Sequence, residues 1–185
     1  MTTLELGIEL VEALRTKTMT GSFRREGDFE CGFVVPTCLP ILEAHKPKLD
    51  IARHADCAVQ LNRDRKEAER IWAASKSWQN VHAWGMQHTF DFVARYEASD
   101  WSMAVEVKLA PVVGGRWPNG EFQRMAGQCL LARVRHKLVI GVMALRGAPD
   151  PKSELDFHPD RDRGYQPQED FLNNHGIHIV VRGLG

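Results

Sequence analysis

Asp91, Glu106 and Lys108 are the residues of this chain whose types and spacing could do chemistry together. Two carboxylates brought side by side repel, so one takes a proton or a cation sits between them. Lys108 could be that cation. A divalent metal suits the place better, because carboxylate oxygens and waters are the hard ligands that Mg²⁺ or Mn²⁺ takes. A metal so held lowers the pKa of a water and polarises a phosphate oxygen. The lysine can then orient that water or stabilise developing charge.

These side chains meet only if the surrounding elements set them opposite one another. Residues 87–96 and 101–109 alternate in apolar character with a period of two, and Glu97-Ala98-Ser99-Asp100 supplies polar turn residues between them. If that turn closes an antiparallel hairpin, Tyr96 falls opposite Trp101, Asp91 opposite Glu106 and Thr89 opposite Lys108. Directly opposed side chains share a face, with Cβ atoms roughly 5 Å apart. Phe90, Phe92, Ala94 and Tyr96 then share the other face with Met103, Val105, Val107 and Leu109. A slip of one residue sets Asp91 against Val107 and spoils both faces. A hairpin with one wet face also carries alternating Asp, Arg, Glu and Lys as solvated cross-strand pairs. Metal site and solvated face both stay open at this point.

Asp91, then Glu106-Val107-Lys108 on the adjacent strand, followed by a helix and another strand, resembles the PD-(D/E)XK (restriction-endonuclease-like) nuclease superfamily over about residues 87–145. Phe90 stands where that motif has its proline. The resemblance implies an α/β sandwich with a mixed central sheet flanked by helices, and metal-dependent hydrolysis of phosphodiester bonds, in DNA first. It implies one or two Mg²⁺ (or Mn²⁺) ions held by Asp91, Glu106 and the carbonyl of Val107, with Lys108 positioning the water. It further implies an acidic residue from the helix before the hairpin, for which Glu67 and Glu69 are the candidates. A solvated outer face explains those two glutamates as well.

That helix is the clearest in the chain, spanning residues 62–80 with Asn62 as its cap and Ile71, Trp72, Ser75 and Trp78 along one side. After the hairpin, residues 110–120 form a loop in which Gly114-Gly115-Arg116-Trp117 offers a cation and an aromatic ring. It either contacts a nucleic acid or simply tucks Trp117 in. Residues 121–135 read as a helix with an apolar stripe of Phe122, Met125, Ala126, Cys129, Leu130 and Val134. Arg124, Arg133, Arg135 and Lys137 make this the most basic stretch, suited to phosphate contacts, and Gln128 or Gln123 could reach the site or a phosphate. Residues 138–145 are a continuous apolar run, a strand buried on both faces. Residues 147–166 read as a surface loop, and the end as a short helix over 167–174 and a strand over 177–181. Strand–helix–strand there favours a parallel pair.

The N-terminal third is harder to read. Residues 3–17 suit a helix with Leu4, Ile8, Val11 and Leu14 on one face. Phe29–Leu42 is apolar but holds Pro36 and Pro40, which limits it to a short strand and a turn of helix. His45, His54 and Cys57 lack metal-ligand spacing. Length points to one domain over 1–185, with 1–60 an N-terminal elaboration and 61–185 the core, and the resemblance implies that this domain is nuclease-like. Lys+Arg and Asp+Glu both number 24, so no global positive field advertises a polyanion, and only a local basic patch can serve one. Cys31, Cys38, Cys57 and Cys129 have no Cys-x-x-Cys spacing and are expected as free, mostly buried thiols. No apolar run approaches a membrane span and no leader is evident at the N-terminus, so a cytoplasmic protein is expected. The function expected is a nuclease, with a homodimer or partner subunit open. The alternatives are a non-catalytic nucleic-acid-binding or assembly subunit on the same fold, and a protein-interaction domain with no affinity for nucleic acid.

Overall fold

One mixed sheet with helices on both faces organises the computed structural model, which describes residues 3–45, 49–53, 66, 69–70, 73–74, 78–83, 85–96, 100–149 and 166–185. The strands are β1 (Leu49–Arg53), β4 (Phe92–Tyr96), β5 (Ser102–Pro111), β6 (Leu138–Arg146) and β7 (Ile177–Gly183), in that spatial order. A separate hairpin pairs β2 (Val81–Ala83) with β3 (Met86–His88). The β1–β4 and β4–β5 pairs are antiparallel, while β5–β6 and β6–β7 are parallel. Each parallel pair is joined through a helix, α4 (Asn119–Arg133) between β5 and β6 and α5 (Gln166–His175) between β6 and β7. The α/β class and the mixed central sheet expected from the sequence are therefore present.

Strand alternation divides the interior into two cores. Phe92, Ala94, Met103, Val105, Val107, Ile140, Val142 and Val180 face α1 (Thr3–Thr16) and α3 (Val35–His45). Val93, Ala104, Val139, Met143, Ile177, Ile179 and Val181 face Met125, Cys129 and Ala132 of α4. Central β6 is buried along its length except at Arg146, as its unbroken apolar run requires. Gly141 lets α4 lie close. A Cβ there would sit 3.0 Å from both Cys129 Sγ and Ile179 Cδ1. The stretch expected as an N-terminal elaboration supplies, over its described residues, one whole covering layer and the edge strand β1.

Several local expectations are corrected. Residues 26–45 are helical throughout, as α2 (Glu26–Phe29), a π-helical turn (Glu30–Val34) and α3. Pro40 inside α3 has no N–H for the carbonyl of Pro36. Lys17 Nζ donates to that carbonyl instead, at 3.1 Å. The apolar face of α3 thus stays helical because a side chain from outside satisfies the orphan. On α1 the buried residues are Leu6, Leu10, Val11 and Leu14, while Leu4 and Ile8 are more than half exposed. Gly7 sets that rotation, since a Cβ on it would lie 2.7 Å from His178 Nε2. On α4, Leu130 is exposed, as is Val134 just past its end, and Ala132 is buried in their stead. Cys31 is disulfide-bonded, which corrects the free-thiol expectation there, while among the described residues Cys38 and Cys129 are free and buried. Of the helix expected over 62–80, Lys66, Glu69, Arg70, Ala73, Ala74, Trp78 and Gln79 are described and helical. Glu67, His54, Cys57 and the loop over 150–165 lie outside the described residues.

Candidate active site

The hairpin register is the one the alternation demands. Phe92 pairs with Val105 and Arg95 with Ser102, and Tyr96 N–H donates to the Trp101 carbonyl at 3.0 Å. One more step in the same count sets Asp91 opposite Glu106. The ladder nevertheless ends at Phe92, short of the expected Thr89–Lys108 pair. Residues 89–91 leave the strand, Thr89 Oγ1 bonds Asn80 Oδ1 at 2.9 Å, and Phe90 crosses to the α4 core, where its ring meets His136 edge-on.

Because β5 continues to Pro111 after β4 has ended, its edge exposes backbone groups that need partners. In an antiparallel ladder alternate residues turn their polar groups to the same neighbour. At Val107 the N–H donates to Asp91 Oδ2 at 2.7 Å. At Leu109 it donates to Glu26 Oε2 at 3.3 Å. Pro111 has no N–H to satisfy. Two carboxylates thus stand where a strand would have paired, and the accounting of that edge is what draws them to Glu106.

Glu106 and Lys108 are 2% and 5% exposed, so they are a buried pair and not part of a wet face. Lys108 Nζ lies 2.5 Å from Glu106 Oε1, 2.8 Å from the Val107 carbonyl oxygen and 3.4 Å from Glu26 Oε1. Burial, reinforced by the charge of Asp91, pushes the Glu106 carboxyl up to about 7 against the pull of Lys108. Burial also works against the Lys108 ammonium, but the combined fields of Glu106, Asp91 and Glu26 outweigh it and its pKa is raised. Glu106 Oε2 is buried and has no hydrogen-bond partner among the described residues. An orphaned buried carboxylate oxygen is rare enough to require a reason.

A hard divalent cation fits this donor set. Glu106 Oε2 offers an open oxygen, Asp91 stands beside it, and the Val107 carbonyl is the third oxygen. Among the described residues no three His, Cys, Asp or Glu side chains form a metal cluster. The further acidic residue at the site is Glu26, on α2. Glu69 is exposed on its helix, and Glu67 lies outside the described residues. The sequence signal that could have pointed to Glu26 is weak, an acidic residue at the start of a four-residue helix far from the hairpin.

The residues expected to contact phosphate fall into different settings. Arg124 is paired with Glu121 at 2.7 Å and Lys137 with Asp100 at 3.1 Å. Arg133 donates to the carbonyls of His175 and His136, both at 2.8 Å, and Arg135 to that of Asn80 at 2.7 Å. Their guanidinium groups tie α4 to neighbouring elements. Gln128 is half-buried with its side-chain oxygen unpartnered among the described residues, and Gln123 is exposed. Arg116 is exposed after the Gly114-Gly115 turn, whereas Trp117 is partly buried against the α4 core. His45 Nε2 lies 2.7 Å from Glu9 Oε2. No helix among the described residues is long and apolar enough to cross a membrane.

Compared with protein-family models, curated proteins and solved structures, the chain matches none.

Proposed function

We propose that the protein is a metal-dependent nuclease of the PD-(D/E)XK type that hydrolyses phosphodiester bonds, in DNA first. The observation that carries this reading is the buried Glu106–Lys108 pair beside Asp91, with one Glu106 oxygen left unpartnered. A buried charged pair is poor value for stability alone, because desolvation offsets most of the attraction. Its retention at the end of a β4–β5 ladder, with two further carboxylates converging, is better explained by chemistry. Asp91, Glu106 and the Val107 carbonyl would hold Mg²⁺ or Mn²⁺, with Glu26 close by. The cation supplies charge that activates a water and polarises the phosphate. Lys108 would orient the attacking water and offset charge that develops on the phosphoryl oxygens. The Asp91–Val107 hydrogen bond holds the first ligand at the register of the second, so the donors are placed before substrate arrives.

The experiment is incubation with supercoiled and linear DNA, with and without Mg²⁺ or Mn²⁺, alongside Lys108→Met and Glu106→Gln proteins checked for folding by circular dichroism. Cutting that needs the metal and disappears in both variants supports a nuclease. Full activity in folded Lys108→Met would sink the assignment. The second reading is a non-catalytic nucleic-acid-binding or assembly subunit. It is favoured by Lys108, whose ammonium already compensates the buried Glu106 without a metal, and it predicts binding without turnover in any metal.

A further inference from the structure

Which cations remain available to a polyanion is decided by what the others already do. Arg124 and Lys137 are ion-paired, and Arg133 and Arg135 hold backbone carbonyls. Arg24 and Arg116 are exposed with no carboxylate partner among the described residues, and Arg146 makes one long bond, 3.4 Å, to the carbonyl of Arg24. These three are not scattered. Arg24 precedes Glu26 by two residues, and Glu26 touches both Lys108 and Leu109. Arg146 ends β6 opposite Pro111 of β5, and its carbonyl accepts from Val112 N–H at 2.8 Å. The next residue, Val113, starts a two-residue turn that brings Arg116 back beside it, with Arg116 N–H donating to the Val113 carbonyl at 3.0 Å. Gly114 and Gly115 have φ of +58° and +70°, the paired left-handed conformation of a tight hairpin turn, so Arg116 is carried on a defined element.

We propose that Arg24, Arg116 and Arg146 form the phosphate-binding rim of the site, and that the sugar–phosphate backbone of a nucleic acid crosses the carboxyl end of β5 and β6 and not the face of α4. The inference rests on the nuclease reading, since it names how that site would receive its substrate. An overall neutral chain needs such a local patch, and three uncommitted guanidinium groups gathered at the carboxyl end of β5 and β6 supply it. The acids Asp91 and Glu106 sit further back along β5, and Glu26 links them to the Arg24 segment through Lys108 and Leu109.

The test is fluorescence anisotropy with a labelled 20-base-pair duplex, and with its single strand, in EDTA so that no cutting occurs, over a series of salt concentrations. The triple variant Arg24→Gln/Arg116→Gln/Arg146→Gln is expected to bind at least about tenfold more weakly, with the salt slope reduced by about 2–3. Arg124→Gln/Lys137→Gln is expected to bind as the parent does. Single Arg116→Gln, on an exposed turn, keeps the test independent of any folding loss in the triple and should lower the slope by about 0.9. Parent-like binding by Arg116→Gln and the triple, or a larger loss in Arg124→Gln/Lys137→Gln, overturns the rim while leaving the nuclease reading standing. Absence of binding to either oligonucleotide at low salt overturns the rim, and the nuclease reading is then decided by the cleavage assay with metal present.

Discussion

Lys108 bonds the Val107 carbonyl and Glu106 Oε1, the neighbour of the open oxygen that would serve a divalent ion, with Glu26 nearby. An ammonium and a metal compete for such a set. Lys108→Met keeps the apolar stem and removes the competing charge, so Mg²⁺ or Mn²⁺ should bind roughly tenfold more tightly by calorimetry, about 1.4 kcal/mol. Cleavage should vanish in the same protein. Weaker metal binding in the variant would mean that Lys108 only props the carboxylates apart. Asp91, Glu106 and Lys108 were legible in the sequence because strand alternation is local and its register follows from one short turn. Glu26 was not. It is one of 24 acidic residues, and nothing local distinguishes it until α2 is packed against the open edge of β5.

At the scale of elements, buried polar side chains satisfy what the helices leave open. Arg182 on β7 donates to the carbonyls of Leu14 and Lys17 at the end of α1 and lies 5.1 Å over the Phe33 ring. Arg182→Met should destabilise by about 1–3 kcal/mol, because buried carbonyls lose charged donors, and urea unfolding would measure it. A loss within error would show that those carbonyls find other partners. Gly141→Ala probes the other face. A methyl 3.0 Å from Cys129 Sγ and Ile179 Cδ1, on the residue paired with Glu106, should move α4 outward and cost about 1–3 kcal/mol. Metal binding should fall with it. Prolines at 36 and 40 argue against a helix when judged by propensity, yet α3 forms, since Lys17 satisfies the freed carbonyl and the sheet buries Val35, Cys38 and Leu42.

Across the whole molecule, two histidines make the fold sensitive to acid. His136 is held down to about 4 chiefly by burial, with Arg135 adding to the effect, and Nδ1 meets Ser102 Oγ at 3.1 Å. His178 is likewise held to about 4 by burial and Arg15, against Gly7 of α1. Both folded values lie below the unfolded 6.5, so the unfolded chain takes up protons first. Stability from this source is intact above pH 6.5 and is lost as pH falls toward 4, by about 1–3 kcal/mol per residue. The difference in unfolding free energy between the parent and His178→Gln should therefore shrink between pH 7 and pH 4.5. A pH-independent difference would remove His178 from the account. Neither role was visible in sequence, because each depends on what the fold packs around the ring.

The sequence by itself determined the hairpin register, the buried central strand β6, the helix between β5 and β6 and the α/β order, all set by patterns repeating within a dozen residues. Only the tertiary structure decided that Glu106 and Lys108 are dry, that Asp91 substitutes for a strand, that Glu26 joins them, and which arginines stay uncommitted. The physical reason is that burial and hydrogen-bond satisfaction are properties of the neighbours. Local periodicity says which way a side chain points, and only the packed elements say what it meets there.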